Sequence, residues 1–220
     1  SAHKLVHIRK ISRIPAVAKR WAEAHGAKPT EDDVQAMFED FIPLQLECLA
    51  DYGELIPGAL EAVADFRARG LKIGSTTGYT TPMGDILFAE AKTRGYSPDC
   101  AVCASEVPAG RPEPWMCLQN AAILQVYPLD AIVKVGDTLP DIEEGLNASM
   151  GTIGLAKTGN EIGLNEAEID ALPADELAER LARAYKRLHQ TGAHYVVDGI
   201  WDVPPILDDI NARMARGERP

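Results

Sequence analysis

The chain has 220 residues, 46% hydrophobic and 25% charged, with a formal net charge of −11. That length suits one core domain plus a small accessory one, and the composition is that of a globular protein. The acidic balance disfavours a general nucleic-acid or anionic-membrane surface, and no apolar run reaches the roughly 18 residues of a membrane span.

Residues 1 to about 50 read as helices. Val17, Trp21 and Ala24 mark one helical face, and Gly26 is a C-terminal stop. Thr30, followed by Glu31, Asp32 and Asp33, predicts an N-cap with an acidic first turn. Val34, Met37, Phe38 and Phe41 then recur at i, i+3, i+4 and i+7. After Tyr52-Gly53 the pattern changes. A helix runs from Pro57-Gly58 to about Arg69 and stops at Gly70. Strand 71–77 follows, then helix 81–94, strand 100–103, helix 113–125, strand 131–135, helix 139–148 and strand 151–155. The tail adds helix 174–190, with Leu177, Leu181, Ala184 and Leu188 on one face, then strand 194–197 and helix 203–215. Strands alternating with helices imply right-handed crossovers and a doubly wound parallel α/β sheet. In such sheets ligands bind beyond the carboxyl ends of the strands.

Three segments carry chemistry. Val133-Lys134-Val135-Gly136-Asp137-Thr138-Leu139-Pro140-Asp141 ends a strand in two carboxylates four residues apart. One or two carboxylates suit Mg²⁺, which keeps waters and also binds substrate phosphate. A strand-to-helix loop with a capping Asp fits the same residues. Leu71 to Thr77 ends in hydroxyls before Gly78-Tyr79-Thr80, where a hydroxyl and backbone N–H groups can hold a phosphoryl oxygen. Pro108-Ala109-Gly110-Arg111-Pro112-Glu113-Pro114-Trp115 is a rigid loop with one cation, and Arg offers phosphate a bidentate fork. Cys100-Ala-Val-Cys103 lacks the second pair a zinc site needs, so the thiols read as small, partly buried groups suited to a reducing cytoplasm. Trp115 and Trp201 read as packing groups, Glu143-Glu144 as a solvated helix face, and His25, His189 and His194 show no ligand spacing.

Hydroxyl, cation and paired carboxylates in that order resemble the haloacid dehalogenase superfamily of phosphoryl-transfer enzymes. Lys72-Ile73-Gly74-Ser75-Thr76-Thr77-Gly78-Tyr79, Val107-Pro108-Ala109-Gly110-Arg111-Pro112-Glu113 and Lys134-Val135-Gly136-Asp137-Thr138 look like its phosphonatase family. Lys4 and His7-Ile8-Arg9 resemble that family's Schiff-base segment, although they also fit an exposed cationic first turn. Other superfamily members normally carry Lys where Arg111 stands and lack the Lys4 element. The resemblance implies a Rossmann-like core (51–220) with a small helical cap (1–50). It implies that Lys4 forms an imine with an aldehyde, that His7 relays protons and that Tyr79 helps position them. Thr77, Gly78 and Arg111 would hold the phosphoryl group. Asp137 would bind Mg²⁺ directly, and Asp141 through water. The implied partners are a small phosphonate substrate and a second copy joined through cap helices, with no nucleic acid and no membrane. The family's nucleophile is an Asp on the first core strand, and no matching segment is found here. The resemblance therefore implies a core truncated at its N-terminus, with about 45–50 further residues in the natural protein by analogy with the family's motif spacing and by domain-size norms. The alternatives are a phosphatase or phosphomutase of the same superfamily, or a non-catalytic fragment that binds Mg²⁺ or phosphate.

Overall fold

Local signals set most of the helix ends. The structure is a computed structural model that describes residues 4–219, with side chains from Leu5 onward. Helix α1 (Lys4–Ser12) ends before Pro15, which opens α2 (Pro15–His25) at a position where its missing N–H costs nothing. Gly26 caps α2 in the left-handed region at φ 81°. Thr30 and Asp33 exchange side-chain and backbone hydrogen bonds as a capping box and start α3 (Glu31–Cys48). Arg9 pairs with Glu31 and ties α1 to α3.

From α4 (Ala59–Ala68) onward, helices and strands alternate. Strand β1 (Gly74–Thr77) is shorter than the expected 71–77. Its partner β2 (Cys100–Cys103) offers four residues, in parallel register from Gly74 with Cys100 to Thr77 with Cys103. Just before the ladder, Ile73 donates its N–H to Asp99 Oδ2 at 2.7 Å and accepts the Asp99 N–H at 2.7 Å. A side-chain turn therefore holds the segment that the apolar pattern assigned to strand. Helix α5 (Thr81–Thr93) joins β1 to β2, and α6 (Trp115–Leu124) leads to β3 (Val133–Gly136). Then come α7 (Leu139–Asn147), β4 (Gly151–Leu155), the short α8 (Glu166–Asp170), α9 (Ala174–Gln190), β5 (Tyr195–Val197) and α10 (Val203–Ala215). The periodicity did not reveal α8, a five-residue helix capped by Asn165.

Strands β3, β4 and β5 form a second parallel sheet in that order. Every residue of β4 is buried, as a parallel strand with both faces covered should be. On one side Ile142 of α7 packs with Ala184 and Leu188 of α9. On the other, Ile153 and Leu155 pack with Val203 and Leu207 of α10 and with Phe66 of α4. Ile142, Ile153 and Leu188 are fully buried, worth about 1.5–3 kcal/mol each relative to exposure. Among the described residues β1 pairs only with β2, and β3 only with β4. The free sides of both strands line one cleft of about 1140 Å³, with Ile73, Val133 and Val135 among its apolar walls.

One expectation from sequence is corrected: of Glu143-Glu144, Glu143 is exposed as a solvated face requires, but Glu144 is not. Glu144 is fully buried, because α7 turns that face onto β3. Trp201 packs against Gly58 and Gly199, as a packing group should, and Trp115 is 45% exposed.

Candidate active site

Three carboxyl-terminal strand regions converge on the cleft. Thr76 and Thr77 end β1 and, as neighbours on a strand, point to opposite faces. Thr77 Oγ1 accepts the Tyr79 N–H at 3.3 Å, a turn that places Gly78 at its bend. Thr76 faces a buried cluster instead. Arg111 Nη2 donates to the Thr76 carbonyl at 2.8 Å and to its Oγ1 at 2.9 Å. Arg111 Nη1 lies 3.0 Å from Asp141 Oδ1, and Nε lies 3.2 Å from Glu144 Oε2. Lys134 Nζ adds contacts to Thr76 Oγ1 at 2.6 Å, Glu144 Oε2 at 2.8 Å and Asp141 Oδ1 at 3.5 Å.

This cluster holds two cations and two carboxylates, so its formal charges cancel. Asp141 and Glu144 sit at i and i+3 on α7 and so share a face. Asp141 also closes the capping box of α7. Its Oδ2 accepts from Thr138 Oγ1 at 2.6 Å and from the Thr138 N–H at 3.2 Å. Burial pushes the Asp141 carboxyl up. The charges of Lys134 and Arg111 and the Thr138 hydrogen bonds outweigh it and hold the group below its ordinary value. Gly136 has no alternative here, since a Cβ would overlap the Asp141 side chain.

Asp137 is held differently. It is half-buried, and its Oδ2 accepts the Asn160 N–H at 3.0 Å and Asn160 Nδ2 at 2.7 Å. No cation pairs with it among the described residues. Those residues contain no group of three or more His, Cys, Asp or Glu that could hold a metal. The donor set still fits Mg²⁺, which needs one or two carboxylates and fills its other positions with water and phosphate. Among the described residues nothing engages Asp137 Oδ1, whereas both oxygens of Asp141 are engaged.

Thr77, Arg111, Asp137 and Asp141 all line the cleft. Gly78 and Tyr79 lie on the turn just beyond β1, and His7 is exposed on α1. Lys4 opens α1, but its side chain lies outside the described residues. The sequence reading missed Thr76, Lys134, Glu144 and Asn160. One signal was available: a lysine inside the apolar strand Val133–Gly136 must find an anion if both faces are covered.

Comparison with known proteins gives this geometry a family. The model of the haloacid dehalogenase-like hydrolases matches residues 4–149. A protein of Syntrophobacter fumaroxidans named phosphonoacetaldehyde hydrolase is 52% identical over 217 residues, covering 99% of this chain and 78% of its own length. One of the same name from Nitratidesulfovibrio vulgaris is 48% identical and likewise covered over 78% of its length. The crystal structure of a phosphonoacetaldehyde hydrolase-like protein from Oleispira antarctica superposes with a TM-score of 0.91 at 39% identity, over 100% of this chain and 79% of that one. The chain belongs to the haloacid dehalogenase-like hydrolases and, within them, to the phosphonoacetaldehyde hydrolase family.

Proposed function

We propose that the protein cleaves the carbon–phosphorus bond of phosphonoacetaldehyde to give acetaldehyde and phosphate. The observation that carries this is the convergence of Thr77, Arg111, Asp137 and Asp141 on one cleft, in a chain whose relatives bear that name.

A bare carbanion leaves phosphorus very poorly, so the aldehyde must first become an electron sink. The Lys4 amine condenses with the carbonyl, releasing water and forming an imine. An Asp carboxylate then attacks phosphorus. The imine nitrogen is protonated, so the C–P electron pair passes into this cationic imine and leaves a neutral enamine. Protonation of the enamine carbon and hydrolysis of the resulting imine return Lys4 and release acetaldehyde. Water cleaves the aspartyl phosphate. His7, one turn from Lys4 on α1, relays the protons, and Tyr79 helps position them. Thr77 and Gly78 bind the phosphoryl oxygens with Arg111. Mg²⁺ supplies charge neutralisation at those oxygens when bound. Asp137 would hold it directly, and Asp141 would do so through water.

The attacking Asp is assigned to an extended segment between β1 and β3. The unpaired strand sides and the apolar walls of the cleft support that assignment. Residues 1–50 act as a cap that pairs two copies, consistent with exposed Ile11 and Leu44 on its helices and exposed Ile14 between α1 and α2. Four free thiols fit a cytoplasmic setting.

The test is borohydride reduction in the presence of phosphonoacetaldehyde, using the protein as its gene encodes it. Label should appear on Lys4, and Lys4→Arg should abolish both labelling and turnover. Unimpaired turnover by the Arg variant would sink the Schiff-base reading.

A further inference from the structure

We propose that Asn160 is a positioning residue that aims Asp137 at the metal, and that Gly159 is what lets it do so. The inference rests on the reading of Asp137 as the direct Mg²⁺ ligand. Strand β4 lies beside β3 in register, Gly154 opposite Gly136. The loop leaving β4 therefore arrives next to the end of β3, where Asp137 stands. There Asn160 directs two donors, its backbone N–H at 3.0 Å and its Nδ2 at 2.7 Å, at the same oxygen of Asp137. Two donors on Oδ2 fix the rotation of the carboxylate and leave Oδ1 for a cation.

The donor is also neutral. Asp141, by contrast, is neutralised by Arg111 and Lys134. A cationic partner at Asp137 would cancel the charge that attracts Mg²⁺, whereas an amide orients the carboxylate and leaves that charge intact. Gly159 makes the approach possible. A Cβ there would come within 2.6 Å of Asp137 Cβ and 2.6 Å of the Leu155 carbonyl oxygen, and that backbone oxygen cannot swing aside.

Calorimetric titration of Mg²⁺ into the substrate-free protein, as its gene encodes it, tests this. Loss of an outer-sphere partner typically weakens metal binding about 10–100-fold, so Asn160→Ala should weaken it on that scale. Asn160→Ser keeps a short donor and should recover most of the affinity. Gly159→Ala should weaken binding at least as much as Asn160→Ala. The thermal midpoint of Asn160→Ala should not move, because Asn160 is exposed. Wild-type affinity in Asn160→Ala, with binding lost in an Asp137→Asn control, would overturn the positioning role and spare the ligand reading. Mg²⁺ binding that survives Asp137→Asn would overturn both.

Discussion

Replacing Glu144 by Leu should destabilise the protein far more than an ordinary helix substitution. Glu144 is fully buried, and its Oε2 takes Lys134 at 2.8 Å, Arg111 at 3.2 Å and Thr76 Oγ1 at 3.3 Å. Without it, two nearly buried cations share the single carboxylate of Asp141. Removing one partner of a buried ion pair costs about 3–5 kcal/mol. For a protein of this size each kcal/mol lowers the thermal midpoint by about 2–4 °C, so the drop should be roughly 6–20 °C. The double variant Glu144→Leu with Lys134→Met leaves a balanced Arg111–Asp141 pair in apolar surroundings. It should recover most of the loss, since apolar replacement of a whole buried pair is often neutral. Urea unfolding of the wild type, both single variants and the double variant measures the coupling directly, provided the slope is unchanged. A Glu144→Leu change within about 0.5 kcal/mol of wild type, the range of surface substitutions, would refute the buried cluster. Additive losses in the double variant would refute the coupling.

Asp137→Ala should abolish Mg²⁺-dependent turnover, whereas Asp141→Ala should weaken Mg²⁺ dependence less and cost more stability, because Asp141 also caps α7 and pairs two cations. Titrating activity against Mg²⁺ and measuring the thermal midpoint of each variant separates the two effects. Acid should loosen the far side of the sheet. His194 Nδ1 accepts the Thr152 N–H at 3.1 Å, which requires the ring to be neutral there, and burial together with Arg213 holds its pKa below 6.5. A lowered folded pKa means that this stability is present above about pH 6.5 and is lost as pH falls through the folded value. His194→Asn should flatten the loss of stability between about pH 7 and pH 5, and an unchanged pH profile would refute the link. Buried Cys117, its thiol pushed up to about 12 by burial, should resist alkylation under native conditions while exposed Cys48 reacts, as mass spectrometry would show.

Much of the fold was legible in the sequence because its signals are local. The capping box at Thr30, the glycine after α2 and the 3.6-residue stripes of α3 and α9 each depend on neighbours a few residues apart. The helices expected at 174–190 and 203–215 appear with those bounds. The motifs at the strand ends were legible too, because a strand followed by polar groups and a glycine reads the same in any context. Partners far apart in the chain were decided only by the tertiary structure. Periodicity places Glu144 and Asp141 on one face of α7, but it does not say that this face meets Lys134 and Arg111 rather than water. Alternation separates Thr76 from Thr77 without saying which of them meets the cation. Asn160 gives no signal at all, since its role arises only where the loop after β4 comes to rest beside the end of β3. Local spacing determined where the helices and the polar strand ends fall, and strand order and packing decided which of the charges face one another.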